Sequence, residues 1–526
     1  MAGLVVAPVA ALALGLARPN GAMWRHQWRT RLPREILDTV LLLGVVAAGT
    51  VVLGAGLAWL VSAYRFPGSR VLAWVLVLPL ALPSYILGYL TLSTLGFTGP
   101  VQSTWRGWFG RDAWFPAVES VGGAAIAFTL VLYPYVYLMT RAALRDQAAG
   151  AYFAARVLGA TPSEAARRIV FPLVRPAVAG GAAVVMMETL TDFATVQYFG
   201  VNTVSSSVFR IWRGTYDRDA AAEIATLLLA FALLVIVAER AARGRARFGE
   251  AGGRGAGLEP RRLTGWRAAA ATGTCVVVAI VGFWGPVARL VWWAVGEQTS
   301  DRGTPLTDQI GSYISHSAQL AGLTVVCAVG VAVLIANAGR FGRRRVVGAA
   351  GRLSAVGYAV PGPVLAIGVV LVLVSLDGLL ERVGLNLPGA VATGSLIGLV
   401  YAYAVRFLAP ALGSVEAGMA QVPDEITASA RALGASPRRV AWAVHTPLAR
   451  ASVASAIVLV AVDALKELPI ALLLRPFGFD TLPVWVYNLA SESRYEQAAL
   501  PSLAIIAVAF VPVVLLSRHL ERPELP

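Results

Sequence analysis

The chain has 526 residues, of which 57% are hydrophobic and only 14% are charged, and its mean hydropathy is +0.68. A soluble protein would carry about 25% charged residues, and apolar runs of about 20 residues recur here, so the composition excludes a soluble fold and predicts a helical membrane protein. The net charge of +15 comes from arginines between these runs, which membrane topology explains without a nucleic-acid partner.

Twelve apolar spans are predicted in chain order, six on each side of an Arg- and Gly-rich linker at residues 240–267. The spans of the first half, 1–239, are 1–17, 36–62, 71–94, 119–140, 176–199 and 221–238. The spans of the second half, 268–526, are 268–295, 314–336, 346–374, 391–413, 452–474 and 499–517. The predicted fold class is therefore an all-α membrane protein of about twelve transmembrane helices.

Arginine placement predicts the orientation of the spans. The linker carries eight arginines, whereas the loop near 296–313 carries one arginine and three acidic residues. Because positive loops remain in the cytoplasm, the linker, the arginine-containing loops at about 141–175 and 414–451, and both termini are predicted to lie there. Five arginines before the second span oppose this orientation: Arg18, Arg25, Arg29, Arg31 and Arg34. Either residues 1–17 do not cross the membrane, or the other arginine-containing loops outweigh these five arginines, and we favour the second explanation. Residues 1–17 are not expected to be a signal peptide, because no basic segment precedes them.

A polar loop occurs twice, once in each half. Residues 154–162 read AARVLGATP and residues 429–437 read SARALGASP, and equivalent positions are 275 residues apart. Gly159 and Gly434 are predicted to end a helix in the left-handed conformation. Thr161 is predicted to cap the next helix with Glu164 in a capping box, whereas Arg439 stands where the second copy would need the glutamate. An ordinary turn needs no partner, but a duplicated polar loop indicates two equivalent docking points.

These loops resemble the cytoplasmic EAA loop of importer-type ABC permeases, which reads Glu-Ala-Ala, three residues, Gly, nine residues, Ile-x-Leu-Pro. The first copy has Phe-Ala-Ala at 153–155 and Ile-Val-Phe-Pro at 169–172, and the second has Ala-Ser-Ala at 428–430 and Val-His-Thr-Pro at 444–447. The family's glutamate is absent from both copies. The resemblance implies that ATPase subunits dock at the loops, about 141–175 and 414–451. The docking residues are Ala154, Ala155, Gly159, Thr161, Pro162, Glu164, Pro172, Ser429, Ala430, Gly434, Ser436, Pro437 and Pro447.

Other segments resemble the ferric-iron permease subfamily, namely residues 78–85, 188–193, 197–201 and 466–499. The resemblance implies two parallel pseudo-symmetric permease halves in a bacterial inner membrane, surrounded by membrane lipid. It implies two copies of an ABC ATPase subunit and a periplasmic or lipid-anchored substrate-binding protein as partners. The implied cargo is ferric iron, and thiamine, polyamine or phosphonate remain alternatives.

Lysine usage bears on ATP binding. Lys466 is the only lysine in the chain, and it lies in the sequence Asp-Ala-Leu-Lys-Glu rather than in a glycine-rich phosphate loop. We therefore expect no cofactor and no catalytic residue in this chain, with ATP and Mg²⁺ bound by the partner subunits.

Four carboxylates are candidates for the substrate pathway. Glu188 and Asp192 lie in span 5, and Asp463 and Glu467 lie 275 residues later in span 11. A spacing of four places both members of a pair on one face of a helix, and a charge in a span costs about 2.5–3.5 kcal/mol unless it faces a polar interior. Oxygen ligands suit a hard cation such as ferric iron, although no metal ligand is assigned.

The same carboxylates have two other interpretations. They could brace helices, with Lys466 or an arginine as partner, or they could lie near the membrane surface, where charge costs little. Lys466 could also neutralise Glu467 when no substrate is present. If the residues line the pathway, Glu467→Gln is expected to lower transport and leave assembly intact.

Two other classes of membrane protein fit the sequence less well. Residues 339–345 resemble the basic loop of major-facilitator transporters, which also have twelve spans, but the usual aspartate is absent and the first half has no counterpart. A membrane enzyme is disfavoured because the four histidines, His26, His316, His445 and His519, are scattered without metal-ligand spacing.

Overall fold

The computed structural model of the chain describes residues 2–15, 21–145, 149–215, 218–243, 260–299, 306–341, 348, 357, 360–384 and 394–519. In this described part the regular structure is helical, apart from one parallel pair of two-residue strands, β1 (Tyr64–Arg65) and β2 (Arg261–Arg262). A helix satisfies its own backbone hydrogen bonds, which is why apolar spans adopt it.

The helices that precede the linker are α1 (Ala2–Gly15), α2 (Gly21–Thr30), α3 (Leu32–Ala63), α4 (Ser69–Val75), α5 (Ser84–Leu95), α6 (Pro100–Phe109), α7 (Val121–Ala143), α8 (Ala149–Val157), α9 (Pro162–Ala165), α10 (Phe171–Thr191), α11 (Phe193–Tyr198), α12 (Val204–Thr215) and α13 (Arg218–Arg243). A 3₁₀ turn at Leu78–Ala81 and a π turn at Ala166–Val170 interrupt this series.

The helices that follow the linker are α14 (Gly265–Ala279), α15 (Gly285–Thr299), α16 (Leu306–Arg340), α17 (Gly362–Arg382), α18 (Leu396–Ala420), α19 (Asp424–Ala432), α20 (Pro437–Val440), α21 (Thr446–Leu448), α22 (Arg450–Lys466), α23 (Pro469–Leu474), α24 (Leu482–Ser491) and α25 (Ala499–His519). Two further π turns lie at Ile280–Trp284 and Ala441–His445.

Fewer than twelve uninterrupted spans lie within the residues that the structure describes. By length and composition, eight helices of the described residues could cross a membrane, or up to ten if each of two bent pairs counts as one span. The bends are 92° between Ala81 and Ser84 and 76° between Leu448 and Arg450. Two shorter apolar helices, Val5–Leu14 and Ala499–Val514, lie where the first and last spans are predicted. The predicted spans 346–374 and 391–413 begin outside the described residues.

The first of two compact units comprises residues 1–28, 207–229 and 301–488. Within it α16 packs against α18 and α22, and α1 packs against α17. The contact between α1 and α17 is close at Gly368, where a Cβ atom would lie 2.5 Å from the carbonyl oxygen of Pro8. Only glycine allows the two backbones to approach this far.

The second compact unit comprises residues 29–206, 230–300 and 489–526. Within it α3 packs along α7 and α10, and α15 packs against α25. At Gly54 of α3 a Cβ atom would lie 2.7 Å from the carbonyl oxygen of Tyr133 on α7. A buried apolar cluster around Leu57, Tyr133, Tyr137, Val170 and Cys275 fills this unit.

Both units combine segments from the two sequence halves. α1 belongs to the unit that holds most of the second half, and α14 and α15 belong to the unit that holds most of the first. The division at 1–239 and 268–526 thus describes the sequence repeat. The contacts group the first span of each half, together with residues 207–229 and 489–526, with the opposite half.

The linker predicted at 240–267 lies mostly outside the described residues, and its two described ends are structured. α13 continues to Arg243, and Arg261 and Arg262 form β2 beside β1. Leu263 N also donates to Arg65 O at 2.9 Å, so the pairing continues by one residue toward the start of α14.

Candidate functional site

The two copies of the repeated loop share their backbone conformation. Gly159 and Gly434 have φ values of +91° and +81°. Ala160 N donates to Ala155 O at 3.0 Å, and Ala435 N donates to Ala430 O at 3.1 Å. This pattern is a Schellman motif, and it ends α8 and α19 in the same way. The left-handed glycines predicted from the sequence are confirmed.

The helix after each glycine is capped as the sequence predicts. Thr161 Oγ1 accepts from Glu164 N at 3.3 Å, and Glu164 Oε2 accepts from Thr161 N at 3.0 Å, which completes a capping box. In the second copy Ser436 Oγ accepts from Arg439 N at 3.4 Å without a reciprocal carboxylate. Both loops therefore present a turn of the same shape, but the second cap lacks the hydrogen bonds that Glu164 makes in the first.

Each loop is anchored on one face and exposed on the other. The π turns Ala166–Val170 and Ala441–His445, again 275 residues apart, bury Val170 and His445 at their last position. Of the thirteen predicted docking residues, Ala155 is buried, Ala430 is half-buried and the others are exposed. The exposed side of each loop is thus available to another protein.

Two leucines that the sequence analysis missed lie at the apex of the loops. Leu158 is 87% exposed and Leu433 is 88% exposed, and each immediately precedes the left-handed glycine. An exposed leucine alone carries little information, but the same exposure at matched positions of a duplicated polar loop indicates a contact surface. The signal was present in the sequence as an apolar residue shared by both copies.

The placement of the four carboxylates on helical faces was wrong. α10 ends at Thr191 and α22 ends at Lys466, so Asp192 and Glu467 lie after the helix, with ψ values of 98° and 118°. The members of each pair therefore do not share a helical face. The second carboxylate of each pair instead precedes a short helix, α11 or α23, whose first backbone N–H groups need an acceptor.

Asp192 is buried and caps α11. Its Oδ1 accepts from Thr195 N at 2.8 Å and its Oδ2 accepts from Thr195 Oγ1 at 2.6 Å. Ser84 Oγ, at the start of α5, also donates to Oδ2. These contacts join the break after α10 to the break before α5.

Glu467 is also buried and takes the equivalent position before α23. Its Oε1 accepts from Ile470 N at 3.3 Å, as Asp192 accepts from the matched residue Thr195. Its Oε2 lies 3.4 Å from Nε of Arg406 on α18, and both side chains are buried. Arg406 is a third residue that the sequence analysis missed, although an arginine within an apolar span is a visible signal.

The sequence suggests Lys466 or an arginine as partners of the carboxylates, and the structure contains both kinds of pair. Lys466 Nζ lies 2.9 Å from Asp463 Oδ1, and both side chains are half-buried. Glu188, which matches Asp463, is half-buried on α10. The second half thus carries two carboxylate–cation pairs at the sequence positions that match Glu188 and Asp192 of the first half.

The carboxylates lie one helix length from the docking loops. α10 has 21 residues and α22 has 17, which correspond to about 31 Å and about 25 Å along the axis. The hydrocarbon core of a bilayer is about 30 Å thick, so each of these helices is long enough to cross most or all of it. Within the described residues no group of three or more His, Cys, Asp or Glu side chains could hold a metal ion.

The loop after α23 presents a third surface. Gly478 has a φ of +77°, His316 stacks on Phe479 with a centroid distance of 4.4 Å, and Arg475 forms an ion pair with Asp480. Phe477 at the apex of this braced loop is fully exposed. The pKa of Arg475 is lowered mainly by burial and to a smaller extent by the nearby Arg213.

Comparison with protein families gives a match in both halves. The sequence model of the family described as "Binding-protein-dependent transport system inner membrane component" matches residues 50–243 and 328–522, which together exceed half of the chain. The two matches cover both repeated loops and all four carboxylates. The match to this family excludes the alternative that the chain is a major-facilitator transporter.

Several curated transport-system permease proteins are similar to the chain, among them the following three. The Fe(3+)-transport system permease protein FbpB 2 of Haemophilus influenzae is 24% identical over 497 residues, covering 94% of this chain and 91% of that protein. The sulfate transport system permease protein CysT of Escherichia coli is 27% identical, covering 44% of this chain and 84% of that protein. The molybdenum transport system permease protein ModB of Escherichia coli is 29% identical, covering 36% and 84%.

Proposed function

Since the chain belongs to the family of binding-protein-dependent transport system inner membrane components, we propose that it is the fused transmembrane subunit of an ATP-driven importer of the ABC class. The chain is a multi-pass inner-membrane protein with both permease repeats in one polypeptide. The observation that carries the proposal is the duplicated loop, in which Leu158 and Leu433 are exposed to the same degree beside equivalent glycines.

Two copies of an ATPase subunit dock at these loops, one at each. The caps and Schellman motifs hold both apices in the same conformation, so one kind of partner surface fits both. ATP and Mg²⁺ are bound by these subunits. Closure of the ATPase pair moves the loops, and the spans alternate between outward- and inward-open states that bind the substrate differently.

The loops and both termini lie in the cytoplasm in this proposal. The helix breaks at Asp192 and Glu467 then lie toward the extracytoplasmic side, where a binding protein delivers the substrate. Phe477 supports such a contact, because a fully exposed phenyl ring on a braced loop is a typical anchor for a partner protein.

The proposed cargo is ferric iron. The similarity to FbpB 2 extends over nearly the whole fused chain and supports this substrate. Asp192 and Glu188 supply oxygen ligands of the kind that a hard cation prefers along the path. The cations Arg406 and Lys466 beside the second carboxylate pair, and the similarity to CysT and ModB, support an anion as the competing cargo. Thiamine, polyamine and phosphonate remain the alternatives from the sequence.

The deciding experiment is ATPase activity of the purified chain co-expressed with a candidate ATPase subunit and binding protein in lipid nanodiscs. We expect stimulation by the binding protein loaded with ferric iron and not by the empty protein. Stimulation by a binding protein loaded with sulfate, molybdate, phosphonate, polyamine or thiamine would retain the importer and replace the cargo. Failure of the chain to associate with any ATPase subunit would refute the proposal.

A further inference from the structure

The two docking loops are anchored to their units in chemically different ways. In the first copy Val170, the last residue of the π turn, is buried in an apolar cluster that also contains Phe66, Leu144 and Val174. In the second copy the matched residue is His445, which is completely buried. An imidazole without hydrogen bonds would be costly at such a position, so its partners define the anchor.

Both ring nitrogens of His445 have partners on different helices. Nδ1 lies 3.1 Å from Asn337 Oδ1 near the end of α16, and Nε2 lies 2.9 Å from Thr427 Oγ1 on α19. The ring also stacks on Phe341, with a centroid distance of 5.5 Å. Phe341 is the counterpart of Phe66, so the aromatic residue is shared and the polar contacts are specific to the second copy.

The hydrogen bonds determine the tautomer of His445. Asn337 Nδ2 donates to Val333 O at 2.9 Å, which turns the amide oxygen toward the imidazole. An amide oxygen only accepts, so Nδ1 of His445 carries the proton and Nε2 accepts from the hydroxyl of Thr427. Every polar atom of this contact therefore has a directed partner, and the three residues form one connected network.

Arg340 adds a second connection between the same helices. Its Nη1 lies 3.0 Å from Asp424 Oδ1 at the start of α19, and its Nη2 donates to Val422 O. The end of α16 is thus tied to α19 by Arg340 and to both α19 and the π turn by the His445 network.

The helix that follows each loop also differs. In the first copy the segment Pro162–Thr191 runs as one continuous helix of 30 residues, so the loop is rigidly joined to its own span. In the second copy the chain bends by 76° between Leu448 and Arg450, four residues after His445. The second loop is therefore joined to α22 through a sharp bend and is hydrogen-bonded to α16 through His445.

We propose that His445, Asn337, Thr427 and Arg340 form a polar latch that transmits motion of the second docking loop into α16, whereas the first loop acts through α10. His445 is a positioning residue in this scheme. Directed hydrogen bonds fix the position of the loop relative to α16. Apolar packing, as around Val170, instead allows the two packed surfaces to slide past each other. The latch rests on the proposed function, because it requires an ATPase to move the loop.

The test replaces the network by an apolar contact. In the triple variant His445→Val/Asn337→Leu/Thr427→Val no polar atom of the network remains unpaired, so the fold is expected to persist with a similar melting temperature. The measurement is the ratio of ATPase activity with ferric-iron-loaded binding protein to activity without it. We expect this ratio to fall by about fivefold or more. The matched variant Val170→Ala weakens an apolar anchor without removing a hydrogen bond, so it is expected to lower the melting temperature and to change the ratio much less than the triple variant does.

A second variant keeps the test decisive if the triple variant does not fold. Arg340→Cys/Asp424→Cys, in a Cys275→Ser/Cys327→Ser background, is linked with a short bifunctional thiol reagent. A latch that moves as one body predicts that the linked protein keeps its stimulation ratio. Loss of stimulation on linking, or an unchanged ratio in a well-folded triple variant, would overturn the latch. Absence of any ATPase association in the wild-type complex would instead overturn the proposed function.

Discussion

Arg406 and Glu467 form an ion pair in which both side chains are buried, with Arg406 Nε 3.4 Å from Glu467 Oε2. The residues at the matched positions of the first half are Val131 and Asp192, and Asp192 is held by the hydroxyls of Ser84 and Thr195. The same helix break is therefore stabilised by a cation in one half and by neutral donors in the other.

Breaking the Arg406–Glu467 pair should destabilise the protein strongly. Arg406→Leu or Glu467→Leu alone leaves a buried charge without its partner, which costs about 3–5 kcal/mol, while the double variant removes both charges and costs much less. Thermal unfolding in detergent measures the stability lost in each single variant and in the double variant. The exposed pair of Arg494 and Glu492 is the control, and Arg494→Leu is expected to cost about 0–1 kcal/mol. Equal losses in single and double variants would contradict the prediction.

This pair also revises one expectation from the sequence. Glu467→Gln was expected to leave assembly intact, but it would leave Arg406 without a buried counter-charge. Reduced transport by this variant alone therefore does not identify a pathway residue, and a first-half carboxylate makes the better probe.

Asp192→Asn should remove the negative charge of this side chain and keep its hydrogen bond to the start of α11. The amide oxygen can still accept from Thr195 N, so the melting temperature is expected to stay near the wild-type value, while uptake falls because we propose that the carboxylate serves a cation path. Asp192→Ala loses the cap as well and should cost about 1–2 kcal/mol. Uptake of radioactive ferric iron in vesicles is the measurement. Normal uptake by a well-folded Asp192→Asn protein would restrict Asp192 to a structural role.

Charging the apex of both loops should prevent docking without unfolding. Leu158→Asp/Leu433→Asp places carboxylates at side chains that are 87% and 88% exposed, so stability is expected to change little. Co-purification of the ATPase subunit should be lost. Ile397→Asp, at an exposed residue at the start of α18 and a helix length from the loop, is the control that keeps the ATPase. Undiminished co-purification by the double variant would exclude the apices as the contact.

The two caps should differ in strength. Thr161→Ala removes a reciprocal capping box and Ser436→Ala removes a single hydrogen bond, so the first change should cost more within the range of about 0.5–2 kcal/mol. Hydrogen exchange of the amides in α9 and α20, compared with the wild type, measures the local effect. A larger change at α20 would contradict this order.

Several features followed from residue type and spacing. The glycines at 159 and 434 have no Cβ and take positive φ, and Thr161-Pro162 with Glu164 forms the capping box, because these effects act within a few residues. Helical spans followed from apolar length alone. The docking role of these loops remains a prediction.

The carboxylates were placed less well, for a physical reason. A spacing of four residues indicates one face only while the helix continues, and the end of α10 at Thr191 has no proline or glycine to mark it. The end of α22 has a local signal in Pro469, which lacks the backbone N–H that a continuing helix would need. The ion pair with Arg406 joins residues 61 positions apart in sequence and depends on the packing of α18 against the break.

The sequence by itself determined an all-α membrane protein with two copies of one permease repeat, since apolar run length and local caps require no tertiary contact. Only the tertiary structure decided which cation faces Glu467, that the halves exchange their first spans, and that one docking loop is anchored by apolar packing and the other by His445. Those outcomes depend on which surfaces meet across long sequence separations, and packing and directed hydrogen bonds select them after the helices have formed.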